Sequence, residues 1–314
     1  KFSKVYYYLL SETNDDAFYI NKLNGSLYTN KVLDREEIHE YDLRVLANSE
    51  PDFYLTSMEQ NRILYNESEI SNNVAKVIVT VLDVNDNSPR FNKSIYYAAV
   101  NSVAEINTFV LNVSAIDLDF GINGTFLYYI KSSNLYKYDS MHSSGSVIPS
   151  PFNISGNGQI FTATNLIENN QHHFIVTVVA KEVVYPERES VTKVYVWIFE
   201  PDQLIRVILS RPVEEVLKEK NEIVQELTNA TNYIIIATDI KNHVNETGHV
   251  NKDWSDMYIL GVNSSTQTIE SVYDVLKVID AKYDFLKDYY AGFAIENVLP
   301  AFIQEMEESF DPAL

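Results

Sequence analysis

Short runs of β-branched and aromatic residues alternate with polar residues along the first 201 positions. Runs of this length, bounded by Asn, Asp, Gly and Pro, predict β-strands. In residues 1–89 we expect strands at 5–10, 18–20, 26–29, 41–47 and 75–82. Between 90 and 201 about seven further runs predict a complete Greek-key sandwich. These runs are Phe91, 96–100, 108–115, 126–130, 159–162, 174–180 and 191–199.

The hydrophobic spacing changes after residue 202. Apolar residues recur at helical spacing from 213 to 227, directly after Pro212, and proline is favoured at the start of a helix. A second helical set runs from 272 to 286, and a hydroxyl residue is expected to cap it. The candidate caps are Ser264, Ser265 and Thr266. Strands are expected at 204–209, 233–237, 257–262 and 293–298, so the order βαββαβ predicts a ferredoxin-like module.

The predicted fold class is therefore mostly β with an α+β module. The predicted domains are a β-sandwich repeat incomplete at its N-terminus (1–89), a complete repeat (90–201), a ferredoxin-like domain (202–300) and a juxtamembrane tail (301–314). Two stretches break the strand pattern. Residues 50–73 form a polar excursion, and residues 131–151 form a Ser- and Tyr-rich loop that we expect to be disordered.

The composition and charge of the chain exclude some classes of function. The net charge of −20 argues against nucleic acid, because phosphate binding requires a basic surface. No apolar run reaches the roughly 18 residues of a membrane span, and no signal peptide begins at Lys1, so we expect a piece of a longer protein. There is no cysteine, but nine Asn-x-Ser/Thr sequons indicate export. They begin at Asn24, Asn66, Asn92, Asn112, Asn123, Asn153, Asn229, Asn245 and Asn263.

The most informative chemistry lies at 83–87, where the string DVNDN follows a strand and precedes Ser88 and Pro89. Two carboxylates and two amides within five residues are hard oxygen donors of the kind that Ca²⁺ prefers. An exposed turn is the alternative, since Asp and Asn also favour turns. Two further motifs support a metal site: LDRE at 33–36, and DLD at 117–119 followed by Asn123 and Gly124.

The order LDRE, DxNDNxP, then DxD with NG resembles the calcium motifs of cadherin extracellular repeats, and the resemblance covers residues 1 to about 200. It implies three Ca²⁺ positions. The outermost would use Asp34, Glu36 and Asp86. The middle one would use Glu36, Asp83, Asp86, Asp119 and the Val84 carbonyl. The third would use Asn85, Asp117, Asp119, Glu182 and the carbonyls of Asn87 and Asn123. A Glu that the family carries on an early strand is missing, and Asn123 is not expected to carry a glycan.

The same motifs are missing at the far end of the second repeat. LIEN at 166–169 replaces LDRE, FEPD at 199–202 replaces DxNDNxP, and Asn101-Ser102 stands where a Glu should follow the first strand. We therefore expect a junction without calcium. Because the connection through Pro201 is short and stiff, the two domains should pack directly, with the run 194–199 and its Trp197 as contact surface.

The domain order resembles the membrane-proximal end of protocadherin-15 and its invertebrate relatives. This resemblance implies cell adhesion or mechanical linkage, mechanotransduction included, by the extracellular part of a single-pass plasma-membrane protein. Expected partners are other cadherin ectodomains, including a cis homodimer, and a membrane reached through a segment outside this chain. A toxin receptor of the insect gut-cadherin kind is the alternative. An enzyme is not expected, because Asp239, His243, His249 and Asp253 are taken as ordinary loop residues.

Overall fold

The computed structural model describes residues 4–11, 16–52, 73–137, 146–169, 172–245 and 247–302. The chain forms two compact units. The first unit comprises Lys1–Asn87, Asp117–Thr125 and Val184–Pro186. The second unit comprises Ser88–Ile116, Phe126–Val183 and Glu187–Leu314. The mostly β fold class with one α+β module is confirmed. Most of the polar excursion (53–72) and of the tail (303–314) lies outside the described residues.

The first unit is built on an antiparallel sheet and a small hairpin. Its strands are β1 (Tyr6–Ser11), β2 (Phe18–Ile20), β3 (Leu27–Thr29), β4 (Glu40–Asn48) and β5 (Val74–Thr80). The sheet order is β1-β4-β5, and β2 pairs with β3. Tyr41 and Leu43 alternate along β4 and bury their side chains together with Ala17, as the two-residue period of a strand requires. The edge of one ring in the Phe18–Tyr41 pair meets the other at a centroid distance of 4.9 Å.

The sandwich of the second unit has two main sheets. Its strands are β6 (Arg90–Phe91), β7 (Ile95–Asn101), β8 (Phe109–Asn112), β9 (Ala115–Ile116), β10 (Phe126–Lys137), β11 (Ser146–Ile148), β12 (Phe152–Ile154), β13 (Gln159–Thr162), β14 (His172–Glu182) and β15 (Glu189–Phe199). One sheet has the order β11-β10-β14-β15-β7 and the other β12-β13-β8, while β6 pairs with β9. Val194, Val196 and Ile198 point from β15 into the core between the sheets.

The predicted disorder over 131–151 is wrong at both ends. Strand β10 continues through Lys137, paired with β14 from Phe126↔Glu182 to Lys137↔His172. Strand β11 then adds to its other edge, with Ser133 opposite Ile148. Ser133 is buried, so a polar residue occupies a core position that a hydrophobic pattern does not reveal. Residues 138–145 lie outside the described part of the chain.

The rest of the second unit is an α/β module. Its elements are β16 (Ile205–Leu209), α1 (Val213–Thr231), β17 (Tyr233–Val244), β18 (Val250–Asn263), α2 (Val272–Ala281), α3 (Tyr283–Phe293) and β19 (Ile295–Pro300). The sheet order β17-β18-β16-β19, with every pair antiparallel, is that of the ferredoxin-like arrangement. Strands β17 and β18 form a long hairpin, so Asp239, His243 and Asp253 lie in strands and not in a loop.

The second predicted helix differs from its expectation in three ways. It is two helices, α2 and α3, interrupted at Lys282. Its N-cap is Ser271, whose hydroxyl accepts a hydrogen bond from the Asp274 N–H, so the expectation of a cap at 264–266 is wrong. Phe293 ends α3 and does not begin the last strand. A continuous apolar stripe does not reveal such a break, because both helices bury the same side against one sheet.

The sandwich and the α/β sheet pack directly on each other, as predicted. Ile235 and Met257 face the helices, whereas their neighbours Ile236 and Leu260 face the other way, towards Trp197 of β15. This second cluster joins buried residues of both parts: Trp197, Phe199, Leu204, Ile236, Leu260 and Val262. The Trp197 Nε1–H donates to the Gln267 carbonyl at 2.8 Å. Both faces of the α/β sheet are therefore covered, which explains the nearly continuous apolar runs in β17 and β18.

His173, a buried histidine of β14 next to Trp197, predicts that the folded chain loses stability in acid. The His173 ring stacks on Tyr136 and Trp197. Burial, and secondarily the charge of His172, lowers the pKa of His173 to about 4. The unfolded chain, whose histidine has a pKa near 6.5, therefore binds the proton more tightly than the folded chain. Stability is full above about pH 6.5 and falls as the pH drops towards 4, by roughly 2 kcal/mol at pH 5. Urea unfolding from pH 7.5 to 4.5 measures the slope, and H173Q should flatten it.

Candidate metal centre

Three separate segments of the first unit bring carboxylates together. Glu36 is the last residue of the LDRE motif and lies in a turn, Asp86 comes from the segment after β5, and Asp119 from the DLD motif. Each offers a carboxylate oxygen within 4.8 Å of the other two. Asp119 is buried, whereas Glu36 and Asp86 are exposed. The structure thus unites one residue from each of the three motifs that the sequence singles out.

Asp34 shapes the turn that presents Glu36. Its Oδ1 accepts hydrogen bonds from the backbone N–H groups of Glu36 at 2.9 Å and Glu37 at 3.3 Å. This is the turn-forming use of aspartate, in which the side chain replaces a backbone acceptor. Asp34 therefore fixes the position of Glu36 through local hydrogen bonds.

Asn87 ties the two other carboxylates together. Its backbone N–H lies 3.2 Å from both oxygens of Asp119, and its Nδ2 donates to Asp119 Oδ1 at 2.7 Å and to Asp86 Oδ1 at 3.1 Å. Asp117 holds the same loop from the other side, because its Oδ1 accepts the Asp119 N–H at 3.0 Å. A Cβ at Gly124 would lie 2.2 Å from the Asp119 carbonyl oxygen, so the glycine is required by close backbone approach.

Asp83 lies in a ring of donors. It accepts the Phe120 N–H at 2.9 Å and the Asn123 Nδ2–H at 2.8 Å, and its Oδ1 forms an ion pair with the Arg35 Nε at 2.5 Å. Partial burial raises the pKa of the Asp83 carboxyl, but these hydrogen bonds and the positive charge of Arg35 outweigh it, and the pKa lies below its usual value. Asp83 is therefore ionised at neutral pH, as a hard-metal ligand must be.

The remaining predicted residues are placed as follows. Val84 is exposed, and the Asn85 side chain points its Nδ2 towards the carbonyl oxygens of Val184 and Pro186 at 3.4 and 3.5 Å. The Asn123 side chain, for which the resemblance implied only a carbonyl, is a donor to Asp83. Glu182 belongs to the second unit, where it is buried and accepts the Arg188 N–H at 3.1 Å.

Sequence reasoning missed Arg35. The residue stands inside the LDRE motif, yet only its acidic neighbours were assigned a role. Its guanidinium contacts Asp83, Glu36 and the Leu118 carbonyl, so it touches all three segments of the site. The available signal was its position between two acidic residues in a turn. The oxygen donors as a whole, carboxylates supported by amides, fit a hard divalent cation far better than zinc, which prefers nitrogen and sulfur.

Comparisons with known proteins agree with this architecture. A family model described as the cadherin domain matches residues 2–82, and a model described as the Cadherin-23 alpha/beta domain matches residues 174–280. The first model includes the LDRE turn and the second includes the junction around Trp197. The chain belongs to the cadherin superfamily, whose members are adhesion proteins and not enzymes.

Two curated relatives are similar to this chain over nearly its whole length. Cadherin-87A of Drosophila melanogaster is 46% identical over 310 residues, which is 99% of this chain and 16% of that protein. Cadherin-23 of Mus musculus is 24% identical over 298 residues, or 95% of this chain and 9% of that protein. The chain thus spans less than a fifth of the length of either relative. A crystal structure of mouse Cadherin-23 EC22-24 is 24% identical, with a TM-score of 0.44, over 67% of this chain and 58% of that one.

The likeness to protocadherin-15 stays a prediction.

Within the described ranges, none of the helices combines the length and the apolar character that crossing a bilayer demands.

Proposed function

We propose that this chain is a calcium-dependent adhesion or mechanical-linkage segment of a cell-surface cadherin. The observation that carries the proposal is the meeting of Glu36, Asp86 and Asp119, which come from three separate segments and lie within 4.8 Å of one another. Three carboxylates at this distance repel one another unless a cation neutralises them. A joint built this way should be stiffer with Ca²⁺ bound than after the ion is removed.

The residues would divide the work as follows. Glu36, Asp86 and Asp119 would bind the ions directly, together with Asp83 and Asp117. Asn87 would keep Asp86 and Asp119 together through its side-chain and backbone hydrogen bonds. Bound Ca²⁺ would supply the positive charge that holds these anionic segments side by side. Sites in extracellular modules typically bind Ca²⁺ with Kd values of about 10⁻⁴ to 10⁻³ M, so occupancy would follow the extracellular concentration.

The junction between the sandwich and the α/β module, the second joint, would keep its geometry by different means from the acidic site, the first joint. Trp197, Leu260 and Val262 are fully buried where the sandwich meets the α/β sheet. Glu200, which stands where the family places acidic ligands, instead accepts the Ser102 Oγ–H at 2.8 Å. Direct apolar packing needs no ion. We therefore propose that this joint keeps its geometry in chelator, a useful property in a segment that carries tension next to a membrane.

The wider role is proposed from the family. As in other cadherins, the partners would be cadherin ectodomains, including a second copy in a cis homodimer. The chain would lie outside the cell, in a protein held at the plasma membrane by a segment beyond this chain. A protocadherin-15-like part in mechanotransduction is the specific form of this proposal. It is supported by the order of the chain, in which an α/β module follows a β-sandwich; the family model that matches this region is described after Cadherin-23.

A calcium titration tests the proposal. We expect the melting temperature of the first unit to rise by several degrees between excess chelator and 5 mM CaCl₂, because binding to the folded state alone stabilises it. Equal MgCl₂ should do much less, since Mg²⁺ demands a tighter octahedral geometry. Melting curves that coincide in chelator and in calcium would rule out a calcium-dependent joint.

Glycosylation should follow the structure. Asn24, Asn92 and Asn153 are exposed and should carry glycans in a secreted preparation. Asn123 should not, because its Nδ2 atom, the one a glycan would modify, donates to Asp83 inside the acidic site. Mass spectrometry of peptides after enzymatic glycan removal in heavy-oxygen water reads each sequon. Full modification of Asn123 would contradict the proposed site.

A further inference from the structure

Arg35 contacts two carboxylates of the acidic site. Its Nη2 donates to Glu36 Oε1 at 2.5 Å and to the Leu118 carbonyl at 2.6 Å, and its Nε lies 2.5 Å from Asp83 Oδ1. The guanidinium also covers the Phe120 ring at 5.8 Å. Its side chain is only 18% exposed. Arginine suits this position because its planar fork can bind several acceptors at once while keeping its charge.

The contacts of Arg35 join segments that are far apart in the chain. Leu118 is 83 residues away from Arg35, and Asp83 belongs to a third segment. The same side chain therefore links the LDRE turn, the segment after β5 and the DLD loop. Two of its partners, Glu36 and Asp83, are also predicted calcium ligands. A cation fixed to the chain and a cation from solution would thus act on the same carboxylates.

We propose that Arg35 is a built-in counter-cation of this joint. It holds the three segments together independently of any metal, and it lowers the affinity of the site for Ca²⁺. The proposal rests on the proposed function, because it assumes that the joint binds calcium. It explains how a joint with so many carboxylates can stay folded at low calcium, and how its affinity is tuned to high extracellular calcium.

A thermodynamic cycle gives the direction in which removal of the Arg35 charge changes the calcium affinity. A fixed positive charge a few ångströms from a divalent ion repels it, while the carboxylates that the charge neutralises attract that ion less. Arg35 must therefore stabilise the calcium-free folded chain more than the calcium-loaded one. The difference between these two effects equals the change in calcium binding free energy, since the two processes share one cycle. Removing the charge should tighten calcium binding, on the order of tenfold at low ionic strength and less in salt.

The experiment uses the whole chain in three variants. R35Q removes the charge, R35K keeps the charge but loses the planar fork, and K252Q removes one charge from an exposed position of the α/β module as a matched control. Calorimetric titration with CaCl₂ measures Kd. Hydrogen exchange in chelator follows the Asn87 and Phe120 amides, which donate to Asp119 and Asp83.

We expect R35Q to bind calcium several-fold more tightly than the parent chain and to exchange the two amides faster in chelator. R35K should keep a Kd near that of the parent, because the charge remains, but should exchange faster, because the link to Leu118 is weakened. K252Q should match the parent in both. If R35Q bound calcium with a Kd equal to or higher than that of the parent, the counter-cation proposal would be wrong. If the parent chain itself binds no calcium, the proposed function fails instead, and faster exchange of R35Q in chelator would still support the metal-independent link.

Discussion

Replacing Trp197 by alanine should destabilise the second unit by about 3–5 kcal/mol, the usual range for a fully buried aromatic. Trp197 is completely buried, stacks against His173 and Tyr195, and lies in the cluster that joins the sandwich to the α/β sheet. Its removal leaves a cavity at the joint and deprives the Gln267 carbonyl of its donor. Since a domain of this size has only about 5–15 kcal/mol of stability, the loss is large.

The same variant should also uncouple the two parts of the second unit. Urea unfolding is expected to change from one transition to two, and small-angle scattering should show a broader set of joint angles. W197F keeps an aromatic ring and loses the N–H donor, so it should cost only about 1–2 kcal/mol. Y273A, at an exposed tyrosine of α2, should change stability by less than about 0.5 kcal/mol. If W197A unfolds like the parent chain, the packed joint is not what holds the two parts together.

Asp119→Asn should remove most of the calcium response. Asp119 is the buried member of the acidic cluster and is a ligand in two of the three implied ion positions. An amide keeps the shape and can still accept from Asn87, but it lacks the negative charge. Losing a partner outside the ligand shell typically costs 10–100-fold in metal affinity, so a direct shared ligand should cost on the order of a hundredfold or more. In chelator the variant should be as stable as the parent, or slightly more so, because one repulsive charge is gone.

Calcium-dependent melting and calorimetric titration measure this effect. D253N is the matched control, because it makes the same chemical change at an exposed carboxylate of β18. It should retain the full calcium response. A D119N chain whose melting temperature still rises with calcium as much as that of the parent would show that the ion, if bound, lies elsewhere.

The predicted elements agree with the structure where the pattern is local. The five strands of the first unit lie within a few residues of their expected positions, because period-two spacing follows directly from the geometry of a strand. The order of strands and helices in the α/β module was also predicted, although β17 ends at Val244 instead of Ala237 and β18 begins at Val250 instead of Met257. The prediction failed where pairing decided the outcome. Strand β10 extends through a Ser- and Tyr-rich stretch because β14 and β11 supply its hydrogen bonds on both sides.

The candidate site shows the same division at the level of single residues. Residue type and order alone were enough to identify the three acidic motifs, because hard oxygen donors and tight turns depend on local chemistry. The meeting of Glu36, Asp86 and Asp119 required the folded chain, since they lie on segments up to 83 residues apart. The donor role of Asn123 towards Asp83 and the contacts of Arg35 with Asp83 and Leu118 also required the folded chain. Likewise, the sequence predicts that the run 194–199 with Trp197 contacts the next domain, but only the tertiary structure decides that Leu260 and Val262 of the α/β sheet cover it, because burial depends on contacts between distant segments.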